Sequence, residues 1–415
     1  MKTVLYVEET ENALANALVH RTDIKLILLR FSNCNSFSEK HLKETENIPT
    51  FIINKSTDLE QECIRLKLFL NNICSEVDVF YNDSEFNQVY IQQVARKIRL
   101  PGALTEIQAL TVRDKYVMKK FIKSIGWKCP EYCLLNSWDD VEKCIKNWGF
   151  PFIIKWRVGV SSIKVYTINE RKDIEKLKID YSSESYMAEK FLPDKIWCID
   201  AIVKDGKVLS NLYTWLPFTN LSFAENKQRF TQLSVGCPQD YWSFEPREIT
   251  QDIVSGLNLS SGYLHLEVFV SDLGEPSICE FAWRTPGDHM LQNFSLLYGY
   301  SVEDLLIDVL LGKDIEPLPN RERCVADVFL PIKKGNVKKI SSIEEVFAAC
   351  SIIDGEIFYH VGDFLTNQHK YTDSAGWVQL EAKSIEEMLE KIDEVYETFV
   401  LEVEEVRNEQ NCISD

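Results

Sequence analysis

The sequence has none of the motifs by which nucleotide-binding and zinc enzymes are most often found. Neither the phosphate loop GxxxxGK[ST] nor the dinucleotide loop GxGxxG occurs, and the six histidines form no HExxH motif. These absences exclude the common P-loop and Rossmann phosphate sites and argue against a zinc hydrolase. A nucleotide site, if one exists, must draw on residues scattered along the chain.

Long hydrophobic runs and cysteine pairs with a zinc or redox spacing are also missing. No stretch approaches the roughly 18 apolar residues that a membrane span needs, and the N-terminal MKTVLYVEETENA lacks the regions of a signal peptide. The 12 cysteines are scattered, and the one close pair, in CPEYC, has neither a zinc nor a redox spacing. We expect a cytoplasmic protein with reduced thiols and no membrane partner.

Positive charge is scarce. The formal net charge of −18 argues against a nucleic-acid partner, because phosphate backbones require clustered lysine and arginine. A small anionic ligand needs only a local basic pocket and stays open. At 415 residues the chain should contain two or three domains.

Hydrophobic periodicity divides the chain into units and predicts an α/β fold with α+β parts. The N-terminal unit alternates apolar runs of strand length (MKTVLYV, IKLILLRF, IPTFIIN, VDVFYN) with helical patterns and ends at LPG, which predicts an open, mostly parallel sheet. Later units mix strands with helices, and the last contains a long amphipathic helix. We place the units at 1–102, 103–320 and 321–402, with a tail at 403–415.

The stretch HLEVFVSDLGEPSICEFAWR places two carboxylates in otherwise apolar strands. If YLHLEVFV and SICEFAW form a hairpin around SDLGEP, Glu267 pairs directly with Glu280, and His265 with Ala282. Alternation then puts these four side chains and Arg284 on one face. The other face would be apolar and would comprise Leu264, Leu266, Val268, Val270, Cys279, Phe281 and Trp283.

Directly opposed glutamates repel each other, by roughly 0.2–1 kcal/mol when exposed and by more in a cleft. Arg284 could compensate them, and a divalent cation would do so better. Mg²⁺ commonly takes one or two carboxylates together with phosphate oxygens and water. The alternative is a pair of solvated glutamates on an exposed face, and this stretch alone leaves the two readings even.

Two lysines are suited to the phosphate side of such a site. Lys115 lies near the start of a predicted helix, where the helix dipole disfavours a cation. Lys155 ends the apolar strand FPFIIKW, and Gly159, Ser161 and Ser162 follow in a loop that could offer N–H groups and hydroxyls to phosphate. A solvated helix surface for Lys115 and snorkelling to solvent for Lys155 are the alternatives.

Taken in order, these residues resemble the ATP-grasp carboxylate–amine ligases, and among them the L-amino-acid (dipeptide) ligase branch. The ordered set is Lys115, Lys155 with its Gly/Ser loop, Glu189, HLE, and EFAWR followed by PG. The resemblance covers nearly the whole chain. It implies an ATP-grasp fold with a pre-ATP-grasp α/β domain, a small lid at about 125–190, a large catalytic part at about 191–320, and a C-terminal α+β subdomain.

The resemblance also assigns roles. Arg284 would hold the acyl phosphate and the tetrahedral intermediate, while Glu267 and Glu280 would bind Mg²⁺, for which Mn²⁺ could substitute. Assigned to ATP binding are Lys115, Lys155, Ser162, Glu189, Lys190 and Leu192, the last three in the adenine hinge AEKFL, where an edge-strand charge is the alternative for Glu189. Assigned to substrate are Gly287, His265 (or packing) and Arg229, which like Lys227 could instead be a solvated surface charge.

The implied activity is ligation of an amino acid or small carboxylate, activated as acyl phosphate, to an amine, giving an amide or dipeptide with ADP and phosphate. The sequence departs from the family at Ala282 (often an asparagine metal ligand), Lys164 (a loop glycine) and Ile196 (a ribose-binding glutamate). Loading of a carrier-protein thiol and a degenerate protein that binds nucleotide without ligating are therefore alternatives. A homodimer is common in the family, and the sequence leaves it open.

Overall fold

The computed structural model describes residues 1–33, 37–160, 162–177, 179–183, 185–218, 229–238, 241–366 and 374–404. Ser161, Lys227 and residues 405–415 of the predicted tail lie outside the described residues. Within these ranges, no helix combines the length and the apolar character that crossing a bilayer requires.

The N-terminal part is a parallel sheet flanked by helices. Its strands are β1 (Lys2–Glu8), β2 (Ile24–Phe31), β3 (Thr50–Ile53) and β4 (Val79–Asn82), in the order β3-β2-β1-β4. Its helices are α1 (Ala13–His20), α2 (Glu39–Glu44), α3 (Leu59–Ile73) and α4 (Gln88–Lys97). Each strand pair is parallel, which confirms the predicted α/β sheet. Near-continuous apolar runs such as β1 are typical of parallel strands that are covered on both faces.

Two helices connect this sheet to a small antiparallel sheet, here called the lid sheet. The helices are α5 (Glu106–Thr111) and α6 (Lys115–Ser124). The lid sheet has the strand order β5-β8-β6-β7. Its elements are β5 (Tyr132–Leu134), α7 (Trp138–Trp148), β6 (Phe152–Trp156), β7 (Val165–Ile168), α8 (Arg171–Lys176), a 3-10 turn at Tyr181–Ser183 and β8 (Tyr186–Lys190).

The remaining chain builds a large antiparallel sheet, here called the main sheet, with the order β13-β12-β9-β10-β11-β14-β18-β16. Before residue 320 its elements and flanking helices are β9 (Lys195–Lys204), β10 (Lys207–Phe218), β11 (Phe230–Val235), α9 (Pro246–Gly256), β12 (Gly262–Val270), β13 (Pro276–Ala282), α10 (Met290–Tyr298) and α11 (Val302–Leu310).

The C-terminal part continues the main sheet and adds a small one. Its elements are β14 (Cys324–Leu330), β15 (Gly335–Ile340), α12 (Ile343–Ala349), β16 (Ile352–Ile357), β17 (Phe364–Leu365), β18 (Gly376–Ala382), α13 (Ile385–Thr398) and β19 (Leu401–Glu404). Strands β14, β18 and β16 extend the main sheet, while β17, β15 and β19 form the small sheet. The main sheet therefore crosses the predicted boundary near 320, and the domain boundaries themselves stay a prediction.

Helix α6 is placed by its cap and its apolar face. The Asp114 side chain accepts hydrogen bonds from the backbone N–H groups of Tyr116 and Val117, which satisfies two of the donors that every helix start leaves open. Met118 and Ile122 are buried against the main sheet. Side chains four residues apart share a helix face, so the side chains of Lys115 and Lys119 point to the same region.

The β12–β13 hairpin has the predicted register at its polar end. Glu267 pairs with Glu280 and His265 with Ala282. A bulge follows, so that Val268 pairs with Ile278 and Cys279 has no direct partner. The prediction that Cys279 belongs to the core face is wrong: Ile278 takes that place in the core, and Cys279 lines a cavity on the opposite side.

The packing of β12 gives a test of where the core lies. Leu266 is fully buried in the main-sheet core, so Leu266→Ala should lower the free energy of unfolding by about 2–5 kcal/mol, from lost burial and the cavity left behind. Leu273, in the hairpin turn, is 81% exposed, and Leu273→Ala is the matched control. Urea denaturation measures both; equal losses would contradict this placement of the core.

Candidate active site

Charged side chains from α6, the lid sheet and the β12–β13 hairpin converge on one cavity of about 140 Å³. Lys115 Nζ lies 3.1 Å and Lys155 Nζ 3.8 Å from Glu280 Oε2. Both lysines are only 5% exposed, so the alternatives of a solvated helix surface and of snorkelling are wrong. Glu267 lines the same cavity from the neighbouring strand.

Glu189 lies between two buried lysines at the back of this cavity. Its Oε1 is 2.9 Å from Lys155 Nζ and 3.3 Å from Lys119 Nζ. Burial would lower the pKa of Lys155, but the Glu189 carboxylate, together with Cys279 and Glu280, outweighs burial and the pKa is raised. β8 pairs with β5 on one side and β6 on the other, so the alternative of an edge-strand charge is wrong for Glu189.

The paired glutamates differ in their electrostatic environment. Burial, and then the charge of Glu280, raises the pKa of Glu267. Burial also acts to raise the pKa of Glu280, but Lys115 and Lys155 outweigh it and the pKa is lowered. The two lysines thus offset the negative charge of Glu280, whereas the negative charge of Glu267 is not fully offset. Two facing carboxylates with this deficit fit a Mg²⁺ ion that draws its other ligands from phosphate and water.

A loop between β6 and β7 covers the lysines, and its backbone is held by cations. Lys115 Nζ donates to the Gly159 carbonyl at 2.9 Å, and the Arg113 guanidinium donates to the Val158 carbonyl. Ser162 lines the cavity and has a positive φ of 56°. A Cβ on Gly159 would lie 2.8 Å from the Ile163 carbonyl, so the loop can close this tightly only with glycine there.

A second cavity adjoins the first and contains Arg284 and Gly287. Arg284 Nε donates to Glu85 Oε2 at 2.7 Å, and Arg113 Nη1 lies 3.9 Å from Glu85 Oε1. Burial would raise the pKa of Glu85, but Arg284 and the other cations outweigh it and the pKa is lowered. The β4–α4 loop of the N-terminal part therefore holds the arginine that follows β13.

His265 lines this second cavity, and Asp200 holds its ring in place. Its Nδ1 lies 2.7 Å from Asp200 Oδ1, and Tyr263 donates to the other oxygen of Asp200 at 2.9 Å. Nε2 lies 3.9 Å from Glu267 Oε1. Burial would lower the pKa of His265, but Asp200 outweighs it and the pKa is raised. His265 thus combines a packed ring with one nitrogen directed toward Glu267.

Solved structures with this architecture are known. The L-amino acid ligase from Bacillus licheniformis aligns with 98% of this chain and 99% of its own at a TM-score of 0.72 and 16% identity. The N5-carboxyaminoimidazole ribonucleotide synthetase from Thermotoga maritima aligns with 97% and 100% at a TM-score of 0.65 and 18% identity. The chain has the ATP-grasp fold. This confirms the fold class predicted from the order of the motifs.

Sequence relatives of this ATP-grasp chain are distant. No protein-family model matches it. The L-arginine-specific L-amino acid ligase of Bacillus subtilis is 20% identical over 61% of this chain and 63% of its own length. The N5-carboxyaminoimidazole ribonucleotide synthase of Staphylococcus aureus (strain MRSA252) is 32% identical over 30% of this chain and 33% of its own. The chain therefore matches less than two thirds of the length of these relatives.

Three of the predicted ATP-grasp site residues lie away from these cavities. Lys190 is exposed and pairs with Glu131 at 3.0 Å, and Leu192 lines neither cavity. Arg229 Nη1 donates to Asp393 Oδ1 on α13 at 2.7 Å. None of these placements tests the backbone contacts that a hinge would make to adenine, so those assignments stay predictions.

Several residues of the site were missed by sequence reasoning. Lys119 lies four residues after Lys115, and that spacing on one helix face was a usable signal. Arg113 directly precedes the capping Asp114, and Asp200 is an acid inside the apolar run WCIDAIV. Glu85 follows the strand run VFYN, but nothing in the sequence indicated its partner, because its proximity to Arg284 arises only from the folded chain.

The Glu189 arrangement predicts a large stability effect. Glu189→Leu would leave Lys119 and Lys155 buried without their shared carboxylate, which should lower the free energy of unfolding by about 3–5 kcal/mol. Lys190→Gln removes an adjacent but exposed pair and should cost less than about 1 kcal/mol. Thermal and urea unfolding compare the two variants; an equally small effect of both would contradict the ion-pair assignment.

Proposed function

We propose that this protein is an ATP- and Mg²⁺-dependent carboxylate–amine ligase that forms ADP and phosphate. The observation that carries the proposal is one cavity in which Lys115 and Lys155 face the cross-strand pair of Glu267 and Glu280. Arg284 lines the adjoining cavity together with both glutamates. The two cavities therefore bring together the groups that such a reaction needs. These are lysines for phosphate, glutamates for a metal ion and an arginine for the activated substrate.

Lys115 and Lys155 would bind the ATP phosphates. Phosphoryl transfer needs positioning and charge neutralisation more than covalent help, and buried lysines supply both. Lys115 now bonds Glu280 and the Gly159 carbonyl, so ATP would replace these contacts with phosphate oxygens. Glu267 and Glu280 would hold Mg²⁺, which when bound neutralises charge on the phosphates.

Arg284 would stabilise the activated carboxylate. Its guanidinium is well suited to planar, bidentate contacts with phosphate and carboxylate oxygens. Glu85 orients it now, and the negative charge of an acyl phosphate would compete with Glu85 for the same N–H groups. The residues proposed as the lid, about 125–190, would exclude water, since an acyl phosphate hydrolyses if water reaches it.

Amino acids are the substrate class that we propose. The relatives that carry this proposal are the L-amino acid ligases, one matched in sequence and one in structure. The activities of those ligases belong to them, and the experiment below identifies both substrates of this chain.

The test is ADP and phosphate release from ATP and Mg²⁺ with pairs of amino acids, with products identified by mass spectrometry. Arg284→Ala and Glu280→Gln should each lower kcat by about 100-fold or more, because each removes charge stabilisation at the reacting phosphoryl group. Lys128→Gln, at an exposed residue outside both cavities, is the control and should retain activity. Variant melting temperatures separate lost folding from lost chemistry.

Undiminished ADP formation by both active-site variants would contradict the assignment. ADP release that depends on a thiol acceptor and not on an amine would instead identify a carrier-loading ligase. Nucleotide binding with no turnover for any substrate pair would identify the degenerate, binding-only alternative.

A further inference from the structure

The substrate side of the site opens into a cleft of about 600 Å³ between the N-terminal sheet and the segment after β13. Its lining is strongly acidic. The carboxylates that line it are Glu9, Glu11, Asp83, Glu85 and Asp288. Among the described residues that line it, Arg284 is the one arginine or lysine, and it already pairs with Glu85. The cleft therefore carries a net negative charge next to the reacting centre.

The acids at the N-terminal side are held by neutral groups. Glu9 accepts hydrogen bonds from the Ser84 hydroxyl, the Phe86 N–H and the Asn87 amide. Within the described ranges Glu9 forms no salt bridge. Burial raises the pKa of the Glu9 carboxyl despite these hydrogen bonds. Its charge is thus positioned but incompletely compensated, and a cation in the cleft would relieve it.

Asp83 follows the same pattern. It accepts from the hydroxyls of Tyr6 and Thr285, the Asn12 amide and the Thr285 N–H. These are neutral donors, and no salt bridge to Asp83 occurs in the part of the chain that the structure describes. Asp83 is therefore a further acidic group in the cleft that has no cationic partner among the described residues.

Independent evidence comes from acceptors that have no donor. Gln232 is only 3% exposed, and its amide nitrogen donates to Asp288 Oδ2 at 3.1 Å. That bond fixes the amide orientation and leaves Gln232 Oε1 buried with no partner among the described residues, in the cavity that shares Asp288 with the cleft. Gln292, in the cleft itself, is half-buried, and its Oε1 atom is buried without a partner in the part of the chain that the structure describes. Buried acceptors without donors are costly, so a ligand rich in N–H groups is expected here.

We propose that this cleft binds a small substrate carrying two cationic nitrogen groups, such as a basic amino acid or a diamine. One group lies by Gln232 and Asp288, near the reacting centre, and the other meets the Glu9 side of the cleft. The inference rests on the proposed ligase function for the claim that the bound molecule reacts. Binding itself rests on the charge and the unpartnered acceptors.

Matched pairs of ligands test the second charge. L-Arginine and L-citrulline have nearly the same shape, and L-lysine and L-norleucine differ chiefly in the terminal ammonium group. Calorimetry on the full chain with Mg²⁺ and ADP should show the cationic member of each pair binding about tenfold tighter, a typical effect of one close charge pair. Putrescine is the third arm: binding as tight as lysine identifies a diamine site, and weaker binding identifies an amino-acid site.

Substitutions of the cleft carboxylates test which of them bind the second cationic group. Glu9→Gln keeps an acceptor and should weaken L-arginine binding about three- to tenfold, with L-citrulline unchanged. Glu11→Gln, at a half-buried lining residue, is the second variant and is expected to fold normally. Glu76→Gln removes an exposed carboxylate outside the cleft lining and should change neither ligand.

Equal binding of L-arginine and L-citrulline, or no effect of either cleft variant, would overturn the inference. Neutral amino acids turned over as well as basic ones would likewise overturn it while leaving the ligase function intact. Preferential L-arginine binding without ADP formation from any pair would overturn the function and leave the cleft assignment standing.

Discussion

The site depends on one constraint: ionised side chains that leave water must meet opposite charges. α6 supplies Lys115 and Lys119, the lid sheet supplies Lys155 and Glu189, and β13 supplies Glu280. Because Lys155 contacts carboxylates on both sheets, the lid sheet and the main sheet share a charge network. Movement of either sheet alone would separate buried charges, so any ligand that displaced these carboxylates from the lysines would also change what holds the two sheets together.

Local patterns were enough to predict the N-terminal sheet and the polar end of the hairpin. Apolar runs of strand length separated by helical segments are compatible with few folds other than a parallel α/β sheet. In the hairpin, the alternation of side chains and the Gly-containing turn determine which residues oppose each other. The bulge at Cys279 could not be predicted in this way. Ile278 and Cys279 are both apolar, so shifting by one residue leaves the pattern of hydrophobicity almost unchanged while it exchanges which side chain faces the cavity.

Burial was the other quantity that the sequence left undetermined. Lys115, Lys155 and Glu189 each allowed a solvated reading, and the structure replaces it with near-complete burial. The difference matters chemically, because a lysine in a water-poor cavity interacts with phosphate far more strongly than one in solvent. The residue types alone therefore indicated a phosphate-binding site, and burial by the fold would make the interaction of its lysines with phosphate stronger.

The contact between Glu85 and Arg284, 199 residues apart, follows from the topology of the first sheet. β1 and β4 are parallel neighbours, so the loops at their carboxyl ends emerge at the same edge, where open α/β sheets place their ligands. Each strand is followed at once by acids, in VLYVEETEN and VFYNDSE. The sheet thus concentrates acids from separate segments beside an arginine from the hairpin. A strand-by-strand search for charges at carboxyl ends would have revealed this edge, although only the fold shows which arginine it faces.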